Sequence, residues 1–269
     1  MPYICSKCLQ VHPLFHLSCP DCGAWNSIQN QATRFSHVDA HPVALPNIVL
    51  STVPRTKTTI EQFDALLGGG FVSGSSILLI GAPGAGKSTL VMQLLKKIRL
   101  SSLYVSGEES LQHLKLRADR LKINSPGLLF LFETNVNKIL SHVERCRPGI
   151  LVIDSIQTVY TDVSGSLPGG PAQIRKCCYI LRRAAQQTGF ILVLVGQVTK
   201  GEKAAGPKMI EHAVDVVLYL AMEEGRTTMR ALSASKNRFG STTPRCMLRM
   251  DKSGLVFLPA ASARRDEGP

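Results

Sequence analysis

Residues 75–95, SSILLIGAPGAGKSTLVMQLL, constrain the fold most, because an apolar run leads through a glycine-rich turn into helix-forming residues. Residues 81–88 fit the pattern G-x-x-x-x-G-K-[ST], which in this context is typical of a phosphate-binding loop. Glycines let the backbone approach a phosphate closely, and the N–H groups of the turn and of the following helix point towards it. We therefore predict an ATP site formed by Gly81, Ala82, Pro83, Gly84, Ala85, Gly86, Lys87, Ser88 and Thr89. The alternative is an ordinary glycine-rich turn between a strand and a helix.

Two side chains of this loop have expected roles. Lys87 is expected to reach the β- and γ-phosphates, and Ser88 is expected to ligate Mg²⁺. A carboxylate is also needed to hold the metal, and Asp154 stands at the end of the apolar run at residues 150–153. An acidic residue left there by chance is the alternative.

Hydrolysis requires a group that orients or deprotonates water. Glu108 follows the run at residues 103–105 and is the candidate base, with Glu109 in reserve. Acidic residues are also favoured in the first turn of a helix, which is the alternative for both. Gln197 follows the run at residues 190–195 and is a candidate sensor of the γ-phosphate; a solvated loop glutamine is the alternative.

Apolar runs alternate with amphipathic segments beyond this loop. Buried strands are predicted at residues 77–80, 103–105, 128–132, 150–153, 190–195 and 214–220. Helices are predicted at residues 89–99, 111–121 and 173–187. The alternation predicts an α/β fold with a mainly parallel sheet flanked by helices. Later runs at residues 229–235, 246–250 and 255–258 leave no room for crossover helices and predict an antiparallel edge.

Composition limits the classes of protein further. Apolar residues make up 44% of the 269-residue chain, enough for a buried core. No apolar run approaches the ~18 to 20 residues of a transmembrane helix, so we expect no membrane span and a cytoplasmic location. The formal net charge of +12 favours a polyanionic partner such as nucleic acid.

Four of the eight cysteines form two C-x2-C pairs near the N-terminus: Cys5, Cys8, Cys19 and Cys22. Ten residues separate the pairs, which suits two tight knuckles that deliver four thiolates to one structural Zn²⁺. Disulfides or a redox-active pair are the alternatives. Trp25 either packs on this module or contacts a partner.

Four features together closely resemble the RadA/Sms family of bacterial DNA-repair ATPases, whose core is similar to RecA. These features are the cysteine pairs followed by WNS, the phosphate-binding loop, YVSGEES at residues 104–110 and KNRFG at residues 236–240. Under this resemblance the organisation is a four-cysteine zinc-finger module at 1–30, a linker at 31–58, a RecA-like P-loop ATPase domain at 59–260 and a disordered tail at 261–269. Family members normally continue into a domain resembling the Lon protease, for which this chain has too few residues.

The resemblance implies further roles and partners. Lys236 and Arg238 would serve ATP hydrolysis across a subunit interface, DNA binding, or both; a solvated basic turn is the alternative. The resemblance implies hexameric rings on single-stranded or branched DNA, with a recombinase as a candidate partner. In RecA-like rings the loop at residues 199–208 lines the channel, so Lys200, Lys203 and Lys208 are candidate DNA contacts, although loop cations are commonly only solvated.

The expected function is a DNA-dependent ATPase of the RadA/Sms type that processes or branch-migrates recombination intermediates. A zinc-ribbon module that binds DNA or protein, with the nucleotide as a switch and without productive translocation, is the alternative. A KaiC-like signalling ATPase is a third possibility, which the zinc module and the basic charge disfavour.

Overall fold

The computed structural model describes residues 3–5, 7–8, 10–12, 14, 16–25, 27–30, 44–47, 54–162, 167–198 and 207–259. The chain divides into two compact units, Met1–Ser51 and Thr52–Pro269. The predicted tail at 261–269 lies outside the described residues. The predicted linker includes a 3-10 helix, Leu45–Asn47, and a short strand, Arg55–Thr56. The proposed domain limits stay a prediction.

Unit 1 contains a small antiparallel sheet. Its strands are β1 (Tyr3–Cys5), β2 (Val11–His12) and β3 (Ile28–Asn30), in the order β2-β1-β3. Cys5, Cys19 and Ile28 form its buried cluster. A segment of this size has little apolar surface to bury, so a further source of stability is expected.

Unit 2 is a sheet covered by helices. Its described helices are α1 (Glu61–Leu66), α2 (Lys87–Lys97), α3 (Leu111–Arg120), α4 (Val136–Cys146) and α5 (Pro171–Thr188). A short ribbon is formed by β4 (Arg55–Thr56) and β5 (Phe71–Val72). The strands of the main sheet are β6 (Ser76–Gly81), β7 (Ser102–Ser106), β8 (Leu128–Phe132), β9 (Ile150–Asp154), β10 (Ile191–Gln197), β11 (Val216–Glu223), β12 (Arg226–Asn237), β13 (Arg245–Asp251) and β14 (Gly254–Phe257).

The main sheet has the order β14-β13-β12-β11-β6-β10-β9-β7-β8. Strands from β11 to β8 in this order are parallel to their neighbours, and β12, β13 and β14 add antiparallel pairs at one edge. The predicted α/β class with a mainly parallel sheet is therefore confirmed, and so is the antiparallel edge. Continuous burial of β6 and of nearly all of β10 explains why these strands are apolar without alternation.

Two helices are additional to those predicted. Helix α1 has only six residues, too few for a clear period. Helix α4 begins after Asn135, whose side-chain oxygen accepts from the backbone N–H groups of Asn137 and Lys138. It ends at Arg147, which adopts a left-handed conformation without the glycine that marks many helix ends.

The strand order determines where a ligand can bind. The carboxyl ends of β6, β10, β9 and β7 are neighbours along one edge of the sheet, and in open α/β sheets ligands bind outside those ends. The register places Gly81 opposite Gln197, and Asp154 opposite Ser106. Residues distant in the sequence therefore meet at this edge. Within the described ranges, no helix combines the length and apolar character needed to cross a membrane.

Candidate functional site

The glycine-rich turn joins the end of β6 to the start of α2. Gly84 and Gly86 have φ angles of +76° and +104°, a region that side chains other than glycine rarely adopt. A Cβ atom on Gly86 would also lie 2.5 Å from the Cε of Met250. Helix α2 begins at Lys87, so the unpaired N–H groups of its first turn lie at the turn. This is the geometry of an anion-binding loop.

Lys87 is held inside the loop. Its Nζ donates to the carbonyl oxygens of Gly81 and Ala82, each at 2.9 Å, and only 7% of the residue is exposed. Burial lowers the pKa of Lys87, while the charges of Asp154 and Glu108 act in the opposite direction. A cation buried beside two carboxylates is suited to bind a phosphate together with a metal ion.

Asp154 is positioned by a buried tyrosine. The hydroxyl of Tyr104, in β7, donates to Oδ2 of Asp154 at the end of β9. Tyr104 is fully buried, and its pKa is raised, first by burial and then by the charge of Asp154. It therefore stays a proton donor and fixes the carboxylate. Ser88 and Asp154 line one cavity and offer the oxygen ligands that Mg²⁺ prefers, so these residues fit this ion.

The two candidate glutamates have different partners. The hydroxyl of Ser155 donates to Oε1 of Glu108 at 2.8 Å. Glu109 forms an ion pair with Arg117 through its carboxylate, and its backbone N–H binds Ser106 Oγ at 2.9 Å. Within the described part of the chain, Glu108 forms no direct ion pair, although its charge acts on nearby Lys87. This difference favours Glu108 over Glu109 as the group that acts on water.

Gln197 lies where β10 ends, between the phosphate-binding loop and Asp154. Its backbone is held by Gln157, whose Nε2 donates to the Gln197 carbonyl at 2.9 Å and whose Oε1 accepts from the Gln197 N–H at 3.3 Å. Gln157 is a positioning residue that sequence reasoning missed, because a loop glutamine carries no recognisable pattern. Its only signal is its place three residues after Asp154.

A cavity of about 360 Å³ lies at this edge of the sheet, within the range typical of small-molecule sites. It brings together most of the predicted loop and all of the candidate acidic and amide side chains. The predicted residues that line it are Pro83, Gly84, Gly86, Lys87, Ser88, Thr89, Glu108, Glu109, Asp154 and Gln197. Gly81, Ala82 and Ala85 are not among its lining residues, although the first two accept bonds from Lys87. Four lining residues were not predicted: Ser106, Arg117, Arg120 and Met250.

Lys236 and Arg238 lie elsewhere. Lys236 Nζ donates to the carbonyl oxygens of Glu211, His212 and Val214 at 3.1, 3.0 and 2.7 Å. Burial lowers the pKa of Lys236, and the neighbouring charge of Arg238 adds to this effect. The carbonyl bonds fix Lys236 to the turn that precedes β11.

Arg238 is connected to the start of β6. Its Nη1 lies 3.1 Å from Oδ1 of Asp215. Oδ2 of Asp215 accepts hydrogen bonds from the backbone N–H and the hydroxyl of Ser76, at 3.0 and 2.6 Å. Ser76 begins β6, whereas the phosphate-binding loop follows its last residue, Gly81. Five residue steps along a strand span about 17 Å. Arg238 therefore lies near the opposite end of β6 from the loop of its own chain.

The KNRFG turn packs against a second glycine turn. A Cβ atom on Gly68 would lie 2.6 Å from the carbonyl oxygen of Phe239, and one on Gly240 would lie 2.8 Å from the Cα of Gly68. Arg55 donates to the same Phe239 oxygen at 3.1 Å, and Asn237 donates to the Leu66 carbonyl at 3.1 Å. The turn is thus held by residues from the start of unit 2.

The predicted DNA contacts are only partly described. Lys208 is exposed in a 3-10 helix, Pro207–Ile210. Lys200 and Lys203 lie outside the described residues. Lys236, for which the resemblance also implies DNA binding, donates to the carbonyl of Glu211 just after this helix, and the roles of both lysines stay predictions.

The four N-terminal cysteines converge in unit 1. Their Sγ atoms all lie within 4.8 Å of one another, and the pairs Cys5–Cys22 and Cys8–Cys19 are each separated by 3.6 Å. These distances are too long for disulfides, which need about 2.05 Å. A tetrahedron with Zn–S bonds of about 2.3 Å has edges of about 3.8 Å, so the cluster fits zinc.

The local backbone explains this convergence. The N–H of Lys7 points to Cys5 Sγ at 3.4 Å, and the N–H groups of Cys5 and Cys19 bond to the carbonyls of Gln10 and Ala24, each at 2.9 Å. Each C-x2-C pair is therefore folded into a tight turn. The Trp25 side chain is 75% exposed rather than packed on the module.

Sequence and structure comparisons agree with this geometry. Residues 56–128 match the family model "ATPase: KaiC". A solved structure of the KaiC-like protein PH0186 from Pyrococcus horikoshii superposes with a TM-score of 0.62 over 77% of this chain and 100% of that one, at 22% identity. Residues 56–128 are thus similar to an ATPase of the KaiC type, and the fold is of the KaiC/RecA-like class.

The particular relatives are bacterial. The chain is 42% identical to "DNA repair protein RadA" of Bacillus subtilis over 94% of its own length and 58% of that protein. It is 38% identical to the RadA protein of Pseudomonas aeruginosa, over 97% of this chain and 60% of that protein. The chain is therefore similar to the RadA proteins and spans less than two thirds of the length of these relatives.

Proposed function

We propose that this protein is a DNA-dependent ATPase that acts in recombinational DNA repair, where it processes or branch-migrates recombination intermediates on single-stranded DNA. One observation carries the enzymatic part: Lys87, Asp154 and Glu108 line the same cavity at the carboxyl ends of the strands. The names of the RadA relatives support the biological part. A cytoplasmic location is part of the proposal, since thiolates persist in that reducing compartment.

Each residue of the cavity has a chemical task. The loop N–H groups and Lys87 bind the phosphates of ATP, and Ser88 and Asp154 hold Mg²⁺. When bound, Mg²⁺ would neutralise charge on the phosphate oxygens. Glu108 takes a proton from the attacking water while the water oxygen bonds to the γ-phosphorus. The bond between that phosphorus and the bridging oxygen breaks, and ADP leaves. Gln197 contacts the γ-phosphate and signals its loss.

The proposal extends to partners. A net charge of +12 supports binding to phosphate backbones, with Lys200, Lys203 and Lys208 as contacts. Because Arg238 lies at the end of β6 opposite its own loop, Lys236 and Arg238 would act on a nucleotide held by a neighbouring copy. This supports a homo-oligomer, a hexameric ring as the family resemblance implies, which engages branched DNA and has a recombinase as its candidate partner.

ATP hydrolysis measured with and without single-stranded DNA tests the proposal. The expected result is Mg²⁺-dependent turnover that DNA stimulates, with stimulation that weakens steeply as salt is raised, because DNA binding releases counterions. Lys87→Ala is the control and should abolish both the basal and the DNA-stimulated hydrolysis of ATP. Nucleotide-dependent DNA binding without stimulated turnover would instead identify a zinc-ribbon module switched by nucleotide. Absence of Mg·ATP binding would overturn both functions.

A further inference from the structure

Arg230 is a buried arginine in the sheet, outside every motif considered above. It lies in β12, opposite Met222 of β11 and Leu248 of β13, and only 6% of it is exposed. Burial of a guanidinium is costly unless its N–H groups are satisfied. Such a residue in the interior of a sheet therefore requires an explanation.

The partners of Arg230 are neutral. Its Nε donates to the carbonyl oxygen of Ala85 at 3.0 Å, and its Nη1 donates to the carbonyls of Thr227 and Met229 at 2.7 and 2.9 Å. Within the described ranges, no carboxylate forms an ion pair with it. Among the described residues, no carboxylate therefore neutralises its positive charge where it touches the phosphate-binding loop.

The bond to Ala85 determines the orientation of one loop peptide. In a trans peptide the C=O of one residue and the N–H of the next point in opposite directions. The Ala85 oxygen faces Arg230, and Ala85 itself is fully buried. The N–H of Gly86 must therefore point away from Arg230, and Gly86 lines the cavity. Its φ of +104° leaves room for this orientation.

We propose that Arg230 is a positioning residue for phosphate binding: it holds the Ala85–Gly86 peptide with its N–H towards the cavity and adds a fixed positive charge behind the loop. The inference rests on the proposed nucleotide site. It assigns part of that site to β12, a strand that β11 separates from β6 in the sheet.

Affinity for Mg·ADP, measured by calorimetry on the full chain, tests this role. In Arg230→Met the dissociation constant should rise about tenfold or more, the loss expected for a hydrogen bond that involves a charged group. Arg230→Lys keeps the charge but not the fork of donors, so a smaller loss is expected. Arg249→Met, at an exposed position on neighbouring β13, removes the same charge and should bind as the wild type does.

The outcomes separate the possible failures. Wild-type affinity in folded Arg230→Met overturns the inference and leaves the proposed function intact, whereas a wild-type protein that does not bind Mg·ADP overturns the proposed function itself. If Arg230→Met does not fold, hydrogen exchange at the Gly86 amide of the wild type decides. Exchange should slow when Mg·ADP binds, and an unchanged rate would overturn the inference.

Discussion

Tyr104 shows how a single side chain connects the core to the site. It is fully buried in β7, packs with its ring 5.6 Å from that of Phe130, and donates its hydroxyl to Asp154. Burial and the charge of Asp154 raise the pKa of this hydroxyl, which therefore stays protonated at neutral pH. The same residue therefore contributes to the core and orients the carboxylate that we propose holds Mg²⁺.

Replacing Tyr104 with phenylalanine should damage the site more than the fold. The ring still fills its place, but Asp154 loses its donor, which should lower the turnover rate at limiting Mg²⁺ about tenfold. Activity titrated against Mg²⁺ measures this effect, and Tyr179→Phe, at an exposed tyrosine of α5, is the matched control. Equal Mg²⁺ dependence in both variants would show that the bond does not orient Asp154.

The two glutamates allow a second comparison at this scale. Glu108→Gln should reduce turnover about 10² to 10⁴-fold while ATP still binds, because the proton acceptor is lost. Glu109→Gln should have a smaller effect on turnover, since Glu109 is paired with Arg117. Single-turnover hydrolysis and nucleotide binding, measured separately, distinguish the two. The reverse order would make Glu109 the base.

At the scale of elements, two turns depend on each other. The turn after α1 carries Gly68, whose φ is +75°, and it contacts the KNRFG turn at Phe239 and Gly240. Close backbone approach of this kind leaves no room for a side chain. The position of Arg238 is therefore sensitive to a glycine 170 residues earlier in the chain.

Gly68→Ala should destabilise unit 2 by about 1–3 kcal/mol, because strain at positive φ is added to a clash with the Phe239 carbonyl. Gly225→Ala is the matched control: its φ is +71°, but a Cβ atom there meets nothing within 4 Å. The control should cost only the left-handed conformation, about 1 kcal/mol. Thermal unfolding measures both. Equal losses would show that the contact between the turns is not tight.

Strands were more predictable than helices for a physical reason. A buried parallel strand is a continuous apolar run, and β8 has the predicted limits while β6, β7, β9 and β10 differ by a residue or two. Helix α2 begins two residues before its predicted start, because Lys87 and Ser88 belong both to the loop and to the first turn. Helix α4 was not predicted although signals flank it, since Asn135 is a favoured N-cap residue and Pro148 directly follows Arg147.

The site was predictable only where its chemistry is local in sequence. The loop at residues 81–88 and the carboxylate after a buried strand follow local patterns. Arg230 acts through a hydrogen bond to the backbone of Ala85, 145 positions away in the sequence. Gln157 acts through hydrogen bonds to the backbone of Gln197, 40 positions away. Such contacts can be recognised only when the order of the strands in the sheet is known, so no local sequence pattern indicates them.

At the scale of the molecule, the two units differ in what stabilises them. Unit 2 has an extensive apolar core, whereas the buried cluster of unit 1 is small. Zinc should therefore supply most of the folding free energy of unit 1 and little of that of unit 2. The sequence has one tryptophan, Trp25, which reports on unit 1 alone.

A strong zinc chelator should lower the fluorescence anisotropy of Trp25 and leave the thermal unfolding of unit 2, followed by far-ultraviolet circular dichroism, nearly unchanged. Cys8→Ser should have the same effect without chelator. Bound metal measured per chain provides the control. If the Trp25 signal did not respond to metal removal, zinc would not be what holds this unit.

Mixtures of two inactive variants test the arrangement of subunits. Lys87→Ala disables the loop of its own chain, and Arg238→Ala disables the site of a neighbour, so mixed oligomers should contain some intact sites. The mixture should hydrolyse ATP although each variant alone does not. Activity that is absent at every mixing ratio would contradict action across an interface.

Strand β6 has a consequence for such an assembly. One of its ends is tied through Asp215 to Arg238, and its other end carries the carbonyl that binds Lys87. If copies associate head to tail, this strand rigidly connects the ATP site of its own chain to the ATP site of the neighbouring copy. Displacement of a phosphate at one site would then strain the neighbouring site through this strand. Such coupling would let the sites of a ring hydrolyse ATP one after another.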